Sequence, residues 1–118
     1  MESLEQFYSF VGANAAEVIS RLGGSPALVK RFLMKFESDD SYCKLCTALN
    51  NDDTEAAFRA AHTLKGICAN LGLRRLFEQS SLVTEFLRSG ASEKAKAALP
   101  ALKREYEQVL TALNSLKD

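Results

Sequence analysis

The sequence predicts an all-α fold: an antiparallel four-helix bundle with a short extra helix at the N-terminus. Three observations predict it. β-Branched residues are sparse and no stretch alternates apolar and polar residues with a period of two, so strands are not expected. Apolar residues instead recur at helical spacing, as in Val29, Phe32, Leu33 and Phe36. The helical segments are separated by short polar or glycine turns, and long helices joined by short turns pack as antiparallel neighbours.

The elements follow in order. Ser3 and Gln6 have capping-box spacing and open a short helix through Phe7, Tyr8 and Phe10. A second short helix, roughly Asn14 to Leu22, stops at Gly23-Gly24. Ser25-Pro26 starts a long segment, a hydroxyl N-cap followed by proline at the first helical position. Its apolar period continues through Cys43 and Cys46 toward Leu49, with Ser38-Asp39-Asp40-Ser41 placed to loosen or break it. Asn50-Asn51-Asp52-Asp53 is a polar turn that supplies the next N-cap. A helix from about Thr54 to Leu71 ends at Gly72, and another runs from near Leu73 to Gly90. The last opens at Ser92 and reaches Leu116. Pro100 inside it should kink or restart it, because proline lacks the backbone donor and crowds the preceding turn. The reading is one domain, 1–118, with a bundle core over about 25–116, and no internal repeat, low-complexity tract or linker divides it.

Composition sets outer bounds. A chain of 118 residues suffices for one hydrophobic core, and 47% apolar with 25% charged residues is an ordinary globular mixture. Fifteen basic residues balance fifteen acidic ones, which argues for neither nucleic acid nor an anionic membrane as a partner. No apolar run approaches the roughly 18 residues of a membrane helix. The start, Met1-Glu2-Ser3-Leu4-Glu5, is acidic and lacks the basic and apolar regions of a signal peptide. A cytoplasmic monomer is the expectation.

Three cysteines raise a second chemistry. Cys43 and Cys46 form a C-x-x-C, and Cys68 stands apart. A redox pair would sit at a strand-to-helix turn, and structural zinc would take two paired clusters. The stretch Ser41 to Leu49 is helical in composition instead. The cysteines therefore read as buried or half-buried reduced thiols, with no metal site. A thiol-redox or zinc protein using Cys43, Cys46, Cys68 and His62 is the alternative this leaves.

The functional information lies around His62. On a wheel of about 100° per residue, Phe58, Ala61, Leu64, Cys68 and Leu71 form one apolar stripe, with His62 at its border. Arg59, Lys65, Gly66 and Ala69 share the face of His62. Between Arg59 and Arg75 there are four basic residues and no acidic one, in a chain that is neutral as a whole. A neutral imidazole is a nucleophile and can carry a covalent intermediate. Phosphoryl transfer asks little of a protein beyond position and charge stabilisation. Lys65, one turn on, suits phosphoryl oxygens as a mobile point charge. Gly66 costs roughly 1 kcal/mol relative to alanine inside a helix, which makes sense if something must approach closely. Each residue also has a plainer reading: His62 as a boundary residue, Gly66 for close helix packing, Lys65 and Arg59 as a solvated face.

The run Ala61-His62-Thr63-Leu64-Lys65-Gly66-Ile67-Cys68-Ala69-Asn70-Leu71-Gly72-Leu73 closely resembles the motif of the histidine-containing phosphotransfer (HPt) domain family: A-H-x-L-K-G, a stretch of small residues, then L-G. Gly23-Gly24-Ser25-Pro26 before Phe32 and Phe36, the turn from Asn50 to Ala56, Leu73 with Leu76, and Leu99-Pro100-Ala101-Leu102 extend the similarity over roughly residues 10 to 115.

The resemblance implies that His62 accepts the phosphoryl group, normally on its outer ring nitrogen. Lys65 would stabilise that group, and Gly66 would admit a receiver domain, with Arg59 and Ala69 on the same face. Family members often carry Gln or Glu on the next helix facing the histidine. This sequence has Val83-Thr84 there, leaving Thr84 to offer a single hydrogen bond. No glycine-rich phosphate loop occurs, so the chain is expected to be a phosphocarrier rather than an enzyme. It would need no cofactor of its own, the Mg²⁺ belonging to the receiver. Response-regulator receiver domains and a sensor or hybrid histidine kinase are the implied partners. A helical adaptor that keeps the bundle without the transfer is the alternative, because fold does not fix function.

Overall fold

The computed structural model describes residues 3–117. Met1 and Glu2, which open the acidic N-terminus, and Asp118 lie outside the described residues. Four of the described helices start where a side-chain oxygen caps them. Ser3 caps α1 (Leu4–Val11) in a full capping box with Gln6, and Asn14 caps α2 (Ala15–Arg21) through the backbone N–H of Glu17. Ser25 caps α3 (Pro26–Phe36), with Pro26 at its first position. After α4 (Ser41–Asn50), the Asp53 carboxylate accepts from the Ala56 N–H to start α5 (Thr54–Leu71). Two further helices, α6 (Arg74–Arg88) and α7 (Ser92–Leu116), complete the chain, and no strand occurs among the described residues.

α4 packs on α5, α5 on α6 and α6 on α7, while α4 also touches α7, so these four close an antiparallel bundle through short turns. The long segment after Ser25 is broken at Glu37–Asp40, where the Asp39 carboxylate accepts from the Ser41 N–H. A run of Ser and Asp offers the backbone such side-chain alternatives to helical bonding, and the helix gives way there. α3 still buries Val29, Leu33 and Phe36. Tyr42 at the start of α4 stacks on Tyr106 of α7, with centroids 4.0 Å apart.

α7 runs unbroken through Pro100, so the expected restart does not occur. Pro100 is exposed, which puts the missing donor on the solvent side, where a helix tolerates looser bonding. The N-terminal helices fasten the far end of α5. The buried Tyr8 hydroxyl donates to the Leu71 carbonyl at 2.7 Å, and Arg21 donates to the carbonyls of Ala69 and Asn70. Gly72 ends α5 at φ +70°, and a Cβ there would overlap Val18, so both conformation and close approach require glycine. No described helix is long and apolar enough to cross a membrane.

Candidate functional site

α5 is the central helix of the site, held on one side by α4 and on the other by α6. Ala57, Ala60, Ala61, Leu64, Cys68 and Leu71 are its buried residues. Small alanines let the neighbouring helices come close, while Leu64 fills the centre. Turning this stripe inward leaves His62 exposed near the middle of the helix. Gly66 and Ala69 are exposed on the same face, and Lys65 is half-buried.

Gly66 is the telling position. A Cβ built there would meet nothing within 4 Å, so helix packing does not explain the glycine. The space beside His62 is open on the protein's side and stays open because residue 66 has no side chain. The four cations from Arg59 to Arg75 also separate. Arg59 donates to Glu55 at 2.8 Å, Arg74 lies 3.9 Å from Glu78, and Arg75 lies 3.4 Å from Glu105. Lys65 forms no ion pair with a described residue, so its charge is the one left available beside the histidine. The Arg59–Glu55 pair is exposed and worth only about 0.3–0.5 kcal/mol, so an incoming anion could release Arg59 readily.

Thr84 does not belong to this face. It is fully buried, and its hydroxyl donates to the Ser80 carbonyl one turn back at 2.6 Å, which satisfies it within α6. Val83 is likewise buried. The expectation that Thr84 hydrogen-bonds toward His62 is therefore corrected: α6 turns this pair into the core.

Two residues that sequence reasoning did not place at the site approach it. Phe58, one turn before His62, has its ring centroid 6.0 Å from the imidazole with 18° between the planes. The Arg88 guanidinium of α6 lies over the Phe58 ring at 5.1 Å and is itself bonded to Glu85. Such ring pairs contribute about 0.5–1.5 kcal/mol, and an exposed cation over a ring about 0.5–1 kcal/mol. The spacing of Phe58 and His62 carried the first contact in plain sight, although the wheel assigned Phe58 wholly to the core. The second contact crosses between helices and has no signal in sequence.

The cysteines divide three ways. Cys68 is buried and its thiol is pushed up to about 12, by burial first, against a hydrogen bond with Ser80 that lowers it. Cys46 is half-buried and is also raised, again by burial first. Cys43 is exposed, contrary to the expectation of burial, because its position on α4 turns to solvent. Raised thiols are poor nucleophiles and poor metal ligands. Among the described residues, no group of three or more His, Cys, Asp and Glu side chains is arranged to hold a metal.

This geometry can be set beside known proteins. A family model described as the Hpt domain matches residues 33–112, which include α4, α5, α6 and most of α7. No curated protein and no solved structure matches the chain.

Proposed function

The chain belongs to the Hpt domain family, the phosphotransfer modules of two-component signalling, and from that premise we propose that His62 is its phosphoacceptor. In this reading the imidazole attacks the phosphorus of a phospho-aspartyl receiver domain. A nitrogen–phosphorus bond forms, the bond to the aspartate oxygen breaks, and the carboxylate leaves. The reverse step delivers the group to another receiver. The observation that carries the reading is the open space at Gly66 beside an exposed His62. With nothing within 4 Å of where a Cβ at residue 66 would stand, this patch leaves room for a partner's loop to approach the ring.

Lys65 supplies charge to the phosphoryl oxygens, and Arg59 becomes available once Glu55 releases it. Ala69 extends the flat approach surface by one turn. The receiver supplies the aspartate and Mg²⁺, and this chain needs no cofactor. It acts as a carrier between receivers, or between a hybrid kinase and a receiver, as a monomer in the cytoplasm. The test is incubation with a phosphorylated receiver domain, followed by intact mass and acid-lability measurements. One acid-labile phosphoryl group is expected in the native chain and none in His62→Gln. A His62→Gln protein that still binds a receiver, from a native chain that never becomes labelled, would point to a helical adaptor instead.

A further inference from the structure

The imidazole of His62 has one recorded restraint among the described residues. No side chain or carbonyl among them exchanges a hydrogen bond with it. The side-chain torsion next to a flat ring is broad, with no sharp staggered wells to fix the plane. An exposed histidine without a partner therefore samples a wide range of ring orientations. Here the Phe58 ring lies within 18° of parallel, and it is held in turn by packing on the core and by the Arg88 guanidinium. Glu85 fixes that guanidinium at 3.1 Å. The chain Glu85–Arg88–Phe58–His62 thus runs from α6 across to α5 and ends on the reacting ring.

We propose that Phe58, braced by Arg88, is the positioning residue of His62, setting the plane of the imidazole by ring contact in place of a hydrogen bond. The proposal rests on His62 being the phosphoacceptor. In-line displacement at phosphorus is sensitive to direction, since the nucleophile's lone pair must point along the bond being broken. A receiver docked on α5 presents its phosphoryl group from one fixed direction. A small donor such as phosphoramidate can approach any ring orientation. Positioning should therefore matter for the receiver and hardly at all for the small donor.

The experiment compares the native chain with Phe58→Leu, Phe58→Tyr and Arg88→Gln. Since His62 is the only histidine, its ring protons give uncrowded NMR signals. In Phe58→Leu those signals should shift as the neighbouring ring current is lost, and in Phe58→Tyr they should return. The maximal rate of transfer from a phosphorylated receiver should fall about five- to tenfold in Phe58→Leu, equivalent to roughly 1–1.4 kcal/mol. The half-saturating receiver concentration and the phosphoramidate rate should hold, and Phe58→Tyr should restore transfer. Arg88→Gln should show a smaller loss of the same kind.

Unchanged imidazole signals in Phe58→Leu would overturn the proposal, as would a native maximal rate. A rise in half-saturating concentration alone would make Phe58 a docking contact. A matching loss with phosphoramidate, tracking a loss of helical content, would make it structural. A native chain that takes label from neither donor would remove the phosphoacceptor reading itself. A native chain labelled normally while Phe58→Leu behaves identically would remove only the positioning role.

Discussion

The two faces of α5 are built to opposite specifications. Inward, Ala57, Ala61, Leu64, Cys68 and Leu71 are buried in the core. Outward, Arg59, His62, Gly66 and Ala69 are exposed, and at Gly66 the protein leaves space unfilled. A helix under selection for stability alone would place alanine at that exposed interior position. The difference teaches that inner residues answer to the fold and outer ones to something outside it. Substitutions should therefore sort cleanly, with stability responding to one face and transfer to the other.

The largest expected effect tests the outer face. His62→Gln should abolish phosphoryl labelling altogether, because the chain has no second histidine. Its stability should change by no more than about 1 kcal/mol, since the residue is exposed and loses mainly its ring contact. Intact mass reports the label and urea denaturation the stability. Retained acid-labile phosphate would break the assignment.

The mirror-image change is Leu64→Ala. Leu64 is fully buried, so the substitution should lower stability by about 2–5 kcal/mol through lost burial and a residual cavity. The fraction that remains folded should still take label at His62. If transfer fails in the folded fraction while stability is little changed, the two faces are not independent.

Cys68 tests the inner face by pH. Its folded-state value is about 12, against 9.0 when unperturbed. Between those values the unfolded chain gives up the thiol proton while the folded chain keeps it. The neutral buried thiol thus contributes its full stability below pH 9, and that contribution declines as the pH rises toward 12. Chemical denaturation across this window should show falling stability, with a shallower slope in Cys68→Ala. Tyr8, also raised by burial, should keep some slope in both proteins.

Much of this division is legible in the sequence, and the exceptions have physical causes. Capping boxes and glycine stops are local signals, so Ser3, Ser25, Asp53 and Gly72 mark helix ends where the structure has them. The apolar stripe of α5 determines which way His62 points, so the exposed patch follows from periodicity. Thr84 was misplaced although the signal was present. Leu76, Ser80, Val83, Thr84 and Leu87 share one stripe at helical spacing, and a wheel of α6 would have turned Thr84 inward. Its expected place came from the family's Gln or Glu position on this helix, whereas back-bonding to Ser80 removes the cost of burying the hydroxyl. The Arg88–Phe58 contact was out of reach, because it depends on how α5 and α6 are placed against each other.

Lys65→Ala sharpens the comparison at its boundary, since Lys65 is half-buried yet unpaired among the described residues. Transfer from a phosphorylated receiver should slow by roughly tenfold, less than the ~10²–10³ that a fully enclosed oxyanion donor supplies. Stability should change by under about 0.5 kcal/mol, as for most surface substitutions. Measuring the transfer rate and the denaturation midpoint in one preparation decides between the roles. Unaltered transfer with a lowered midpoint would make Lys65 part of the inner face.

The smallest effect is expected at Gly66, and it has the opposite sign. Gly66→Ala adds a methyl group where nothing lies within 4 Å and removes the entropic penalty of a helical glycine. It should raise stability by roughly 1 kcal/mol. The same face then allows a graded test of access. Alanine should leave phosphoramidate labelling intact and reduce receiver-driven transfer only modestly. Gly66→Gln, whose side chain projects next to the imidazole, should obstruct the receiver while still admitting phosphoramidate. Loss of stability in Gly66→Ala would mean that the space is not open, and the contrast between the faces would fail at its clearest point. Unchanged receiver transfer in Gly66→Gln would move the docking surface away from this patch. Failure with both donors in a folded protein would show that the glycine shapes the surroundings of the imidazole and not the approach to it.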